Sequence, residues 1–142
     1  MTTFIKKSLL KLCLGSMLIS SAAFAEVAVV VNSANNNTID ADAIKRIFLG
    51  KQSDFPDGSP AIAIDQKEGS QVVNEFNSKV LDRSASQLKA YWAKLIFTGK
   101  GSPPKKVGSD AEVLKIIASE PDKIGYVDSA SVDGSVKVLI KL

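Results

Sequence analysis

Five consecutive apolar residues, Val27-Ala28-Val29-Val30-Val31, constrain this chain more than any other stretch. A strand built from such a run has no solvent face, so it must be covered on both sides. That requires a sheet with layers above and below it. Further strand-like runs lie at 61–64 (Ala-Ile-Ala-Ile), at 124–127 and at 135–142, the last alternating at Val136, Val138 and Ile140. Helical spacing of apolar residues fills the intervals. Ala43, Ile44, Ile47 and Phe48 follow Asp40 and precede Gly50. Val72, Val73, Phe76 and Val80 precede Asp82, and Leu88, Tyr91, Trp92 and Leu95 come next. Val113, Leu114, Ile116 and Ile117 form a fourth set, followed by Pro121. Ser84-Ala85-Ser86-Gln87 and Ser109-Asp110-Ala111-Glu112 have the form of capping boxes at two helix starts. Segments 32–38, 51–60 and 98–108 are rich in Asn, Gly, Pro or Asp and read as loops. The expected fold is α/β, with a mixed, mostly parallel sheet flanked by helices.

Residues 1–25 have the layout of a secretory signal peptide. Lys6, Lys7 and Lys11 begin it, an apolar stretch occupies 12–19, and Ala23-Phe24-Ala25 offers a small-x-small cleavage site. The stretch is too short for a bilayer, which needs about 20 apolar residues. Cleavage after Ala25 delivers residues 26–142 to the periplasm as one domain, with no membrane span after processing. It also changes the electrostatics. Without those three lysines the 18 basic residues become 15, equal to the 15 acidic ones. The positive charge is therefore a property of the leader, and nucleic acid is not an expected partner. Cys13, the sole cysteine, leaves as well. The mature chain must be held by packing alone.

The sequence has no histidine. Ser-His-Asp and Cys-His catalysis are thereby excluded, as are metal sites built on nitrogen or sulfur ligands. No Walker-type lysine loop and no GxGxxG turn occurs. No cofactor is expected, and the chain does not read as an enzyme. Carboxylates remain, notably Asp65 and Glu68, which read either as loop solvation and helix capping or as acid–base groups. A more suggestive place is the junction of the 61–64 strand with the helix that follows it. There Gly69 lets the backbone approach a bound group, and Ser70 can cap the helix. The first amides of that helix lack partners inside it and sit at its positive dipole end. Such a corner either is a plain cap or holds a small oxyanion. Lys67 lies three residues before Ser70, and Lys100, Lys105 and Lys106 lie in the 98–108 loop, either solvated or near the same anion. Tyr91, Trp92 and Tyr126 read as packing residues.

Taken in order, these segments resemble the substrate-binding proteins of phosphate ABC transporters, within the type II periplasmic-binding-protein fold. Ile47-Phe48-Leu49-Gly50-Lys51 is similar to that family's helix-ending I-F/Y-L-G-K. Glu68-Gly69-Ser70 followed by Phe76 resembles its D-G-S-G-T…F anion turn, and Trp92 recurs at a similar remove. Val107-Gly108 before a helix, then Pro121…Ile124-Gly125-Tyr126-Val127, is similar to G-x-x-x-V…P-G-A-I-G-Y-V. The departures fall in the turn. The family's arginine is replaced by Gln66, and its second glycine and threonine by Gln71 and Val72. The resemblance covers one lobe of a two-lobed architecture.

It implies a single periplasmic-binding-protein-like lobe in which Gly69, Ser70 and Lys67 contact phosphate or a similar oxyanion. Enclosure matters to the strength of that contact. A charge pair 4 Å apart is worth about 1 kcal/mol in water and about 4 kcal/mol at an effective dielectric near 20. A one-lobed site is therefore expected to bind weakly, or to be completed by a second lobe, by self-association or by an ABC permease. The alternative is an envelope protein-interaction module that has lost ligand binding.

Overall fold

All six residues of β1 (Val27–Asn32) are buried, as a strand with no polar alternation demands. The computed structural model describes residues 25–142. The expected signal segment lies outside them, apart from Ala25. Strand β1 sits within a five-stranded sheet that also contains β2 (Ile62–Gln66), β3 (Lys105–Val107), β4 (Lys123–Asp128) and β5 (Val136–Lys141). The order across the sheet is β3-β2-β4-β1-β5. Strand β2 runs parallel to both β3 and β4. Strand β1 runs antiparallel to β4, with Val29 opposite Tyr126, and antiparallel to β5. The sheet is mixed, as expected for an α/β domain.

The alternation of side chains along β1 divides the core in two. Val27, Val29 and Val31 face a cluster that includes Ile44, Phe48, Val73, Phe76 and Tyr126. Its helices are α1 (Ala41–Phe48) and α2 (Gln71–Phe76), the latter running into a π-helical turn at Asn77–Leu81. Asp82 ends that turn at φ 51°, a left-handed position in keeping with its expected closing role. Phe76 stacks on Tyr126 with centroids 3.8 Å apart, and Phe48 meets Phe76 edge-on at 4.7 Å. Each fully buried aromatic of this kind contributes about 1.5–3 kcal/mol.

Ala28 and Val30 face the other way, toward Val113, Leu114 and Ile117 of α4 (Asp110–Ser119). Helix α4 comes close because β4 carries Gly125 beneath it. A Cβ at that position would stand 2.8 Å from Val113 Cγ1. The far end of α4 is tied down by Asn32, whose Nδ2 donates to the carbonyls of Ile117 and Ala118 at 2.9 and 3.0 Å. These carbonyls belong to the last turn and would otherwise lack partners.

Two segments differ from the sequence expectation. Strand β2 extends beyond Ile64 to include Asp65 and Gln66. The 98–108 segment is not all loop, because Lys105–Val107 pairs with β2 as the edge strand β3. Three residues with two lysines carry no apolar alternation. The strand exists because the edge of β2 offers it a hydrogen-bonding partner.

Helix α3 (Ala85–Phe97) differs in another way. Its capping box forms as expected: Ser84 Oγ accepts from Gln87 N, and Gln87 Oε1 accepts from Ser84 N. Yet α3 buries no residue. Leu88 and Tyr91 pack against the edge of the core, partly buried, and Trp92 is only partly covered.

Candidate functional site

Strand β2 ends at Gln66, and the chain passes through Lys67, Glu68 and Gly69 before entering α2 at Ser70. Gly69 has φ +108°, a backbone region that side chains other than hydrogen disfavour. No atom lies within 4 Å of where its Cβ would stand, so the turn needs glycine for its conformation and not for space. Ser70 is the N-cap residue, its Oγ accepting from Val73 N at 3.4 Å. That is long for an N–H···O bond, whose ordinary range ends near 3.2 Å. The cap exists, and it is a weak one.

Lys67 is anchored through its backbone. Its backbone N–H donates to Val107 O at 2.9 Å, tying β2 to β3. Its exposed side chain lines a surface groove shared with Lys105, Lys106, Gly108 and Lys115. Among the described residues, no hydrogen bond or ion pair links Lys67 to Ser70. The cation that reaches the turn is Lys106, whose Nζ lies 3.5 Å from Glu68 Oε1. The structure thus places Gly69 and Ser70 together and Lys67 on the adjoining groove. Lys100 lies outside both the corner and the groove.

Gln66, where the resemblance puts an arginine, is buried. Its Nε2 donates to Asp110 Oδ1 at 2.8 Å and to Tyr126 O at 2.9 Å. Asp110 is a hub. Its other oxygen accepts from Asp128 N at 3.1 Å and from Ser131 Oγ at 2.7 Å. The capping-box pattern suggested Asp110 only as a residue of a helix start. The box itself is altered: Ser109 Oγ accepts from Glu112 N, whereas Glu112 Oε2 accepts from Gly108 N at 2.7 Å.

Asp65 is neither loop solvation nor a cap. It lies in β2, partly buried, and its Oδ1 accepts from the Tyr126 hydroxyl at 2.5 Å and from Gln66 N at 2.7 Å. Burial pushes the Asp65 carboxyl above the ordinary carboxylate range, against the pull of the Tyr126 hydrogen bond. Burial and the facing carboxylate push the Tyr126 phenol strongly upward, so it stays a donor. Beside this pair opens a cavity of about 410 Å³. Its walls include Phe48, Val73 and Leu81 on one side and Leu88, Trp92 and Ile96 of α3 on the other. Sequence reasoning missed the pairing of Asp65 with Tyr126, because 61 positions separate them and only the register of the sheet brings them together.

No protein-family model matches the sequence, and no curated protein does either. Solved structures do. An ABC-type phosphate transport receptor from Vibrio cholerae matches with a TM-score of 0.65 at 18% identity, over 82% of this chain and 46% of its own. The chain has the fold of one part of this receptor. A putative phosphate ABC transporter substrate-binding protein from Clostridium perfringens, solved with bound phosphate, matches at 0.60 and 17% identity over 82% and 45%. A possible phosphate binding protein from Planctomyces limnophilus matches at 0.58 and 16% over 82% and 42%. The chain spans under half the length of each of these receptor-fold proteins. All three are described as receptors or binding proteins, not as enzymes. Among the described residues, no helix is long and apolar enough to cross a membrane.

Proposed function

We propose that this chain is a periplasmic, non-enzymatic solute-binding domain of the phosphate-receptor type. It holds phosphate or a similar oxyanion at Gly69 and Ser70, with Lys67 supplying positive charge from the adjoining groove. The observation that carries this reading is the corner itself. A glycine in a positive-φ turn is followed by a weakly engaged cap serine where β2 passes into α2, in a fold whose Clostridium neighbour was solved with phosphate. A helix start of this kind favours negative charge through its amides and its dipole.

Gly69, Ser70 and Lys67 are all exposed. In that water-like setting each charge contact at 4 Å is worth about 1 kcal/mol. Binding by this face alone is therefore weak, and a second surface, whether another lobe, a second copy or an ABC permease, strengthens it by excluding water. Isothermal titration of phosphate into residues 26–142, the expected mature chain, tests the reading. Saturable heat that disappears in Ser70→Ala supports it, and silence up to millimolar phosphate refutes it. Export with cleavage after Ala25 is checked separately by the intact mass of the periplasmic product.

A second reading rests on the end of α3, where Ile96 is 56% and Phe97 93% exposed. Apolar side chains this open suit an envelope protein-interaction module. A chain that stays monomeric and captures no envelope protein argues against that alternative.

A further inference from the structure

Between Asp82 and Asp110 the chain carries no acidic residue, while Arg83, Lys89, Lys94, Lys100, Lys105 and Lys106 all fall in that interval. This charge sits on α3 and the segment after it, and α3 is the helix that buries nothing. Its inner side, with Leu88 and Trp92, faces the body across the cavity that Asp65 and Glu68 also line. Its outer side follows from helical spacing. Ser86, Ala90, Ala93 and Phe97 recur at steps of four, three and four residues, share one face, and are all exposed. Lys89 and Lys94 flank that stripe, and among the described residues no ion pair joins either to an acid. Beyond the helix the chain turns back at Gly99, φ +68°, and Lys100 N donates to Leu95 O at 2.9 Å. Lys100 is thereby held at the same end as Ile96 and the 93% exposed Phe97.

We propose that the outer face of α3 docks on an anionic lipid surface, with Phe97 and Ile96 entering the headgroup region and Lys89, Lys94 and Lys100 meeting lipid phosphates. Charge sets the sign of the partner. The cations are unpaired, and the nearby acids stand elsewhere: Asp65 and Glu68 on the inner side, Asp82 before the far end of the helix. Texture sets its class. On the stripe only Ser86 bears a hydrogen-bonding group, whereas a protein interface typically carries about ten hydrogen bonds. A fluid bilayer needs no such matching. It closes around a protruding ring while lysines on either side reach its phosphates, and a helix so placed lies in the plane of the interface. Among the described residues no helix is long and apolar enough to cross, so the contact is with the surface. For an exported chain, that surface belongs to the membrane it has crossed. The inference stands apart from the phosphate reading, because Gly69 and Ser70 belong to the start of α2.

Residues 26–142, which contain every strand and helix of the described fold, are sedimented with vesicles of phosphatidylcholine alone or mixed two to one with phosphatidylglycerol. Binding is expected with the anionic vesicles only, and it is expected to fall roughly tenfold as salt rises from about 0.1 M to about 0.5 M. Phe97→Ser changes a side chain that is free of packing, so its melting temperature should match the wild type while vesicle binding weakens roughly tenfold. Lys89→Glu combined with Lys94→Glu is expected to abolish binding, and Ser70→Ala is expected to leave it intact. Soluble poly-glutamate stands in for an acidic protein, and any binding to it is expected to be indifferent to Phe97→Ser. No sedimentation with anionic vesicles, equal sedimentation with both kinds, undiminished binding in the Phe97 or the lysine variant, or loss in Ser70→Ala overturns the assignment. Poly-glutamate binding that requires Phe97 also overturns it, and makes the face a protein-docking surface instead.

Discussion

Helices α3 and α4 begin alike and end in different situations. Each is opened by a serine that caps the N–H three residues on, with Gln87 and Glu112 at the matching positions. Helix α4 then buries Val113 and Ile117 completely, whereas the longer α3 buries nothing. What differs is the surface offered to them. Helix α4 lies over Gly125, where the absence of a Cβ lets Val113 and Ile117 descend onto the sheet. Helix α3 touches the body at a few points. Tyr91 Oη–H donates to Leu49 O at 2.6 Å, the Trp92 ring rests against Gly50, and Arg83 lies over the Tyr91 ring. Capping starts a helix, and it takes a complementary surface to bury one. The space between α3 and the body becomes the cavity that the close packing of α4 leaves no room for.

The contrast can be broken first at its strongest contact. Ile117→Ala is expected to cost about 2–5 kcal/mol in urea unfolding, and Ile96→Ala on α3 less than about 0.5 kcal/mol. Comparable losses at the two sites would mean that α3 packs as tightly as α4. Next comes the close approach. Gly125→Ala is expected to destabilise by about 1–3 kcal/mol, because its methyl must displace Val113. At Gly69, where nothing lies nearby, alanine costs only the strain of the positive φ, about 1 kcal/mol. Tyr91→Phe removes the bond to Leu49 O, and about 0.5–1.5 kcal/mol is expected to go with it. Limited proteolysis should then cut preferentially around α3.

The smallest effect belongs to Asp65, beneath α3. Its folded pKa is raised by burial, so the native state binds the proton more tightly than the unfolded chain does. Stability from this group is greatest below the unfolded value of 3.8 and declines as pH rises from there through the raised folded value, then levels off. Asp65→Asn removes that slope. The difference in melting temperature between variant and wild type should therefore grow in favour of the variant from about pH 4 upward and then become constant. A gap that widens toward acid pH would contradict the assignment of burial as the dominant cause.

Much of the fold is legible in local pattern. The unbroken run of β1, the helix starts at Asp40, Ser70, Ser84 and Ser109, and the left-handed Asp82 all follow from near neighbours in sequence. The candidate corner is legible for the same reason, since Gly69 and Ser70 are adjacent and their turn is a local event. Lys67 is three residues from Ser70 along the chain, but its backbone bond to Val107 and the groove it shares with Lys105 and Lys106 depend on β3, which local pattern does not announce. Asp65, Gln66, Asp110 and Tyr126 form one network from three segments, and no short-range spacing announces it.

The sequence alone therefore determines which stretches are strands and helices, where they stop, and which chemistries lack the side chains to operate. It does so because apolar periodicity, caps and turn conformations act over a few residues. Tertiary structure decides the order of strands, the existence of β3, the closure of Gln66 onto Asp110 and the partial exposure of α3. These depend on which surfaces meet across long loops. Helices with the same capping signal are buried or left open by what stands opposite them, and that partner is distant in the chain.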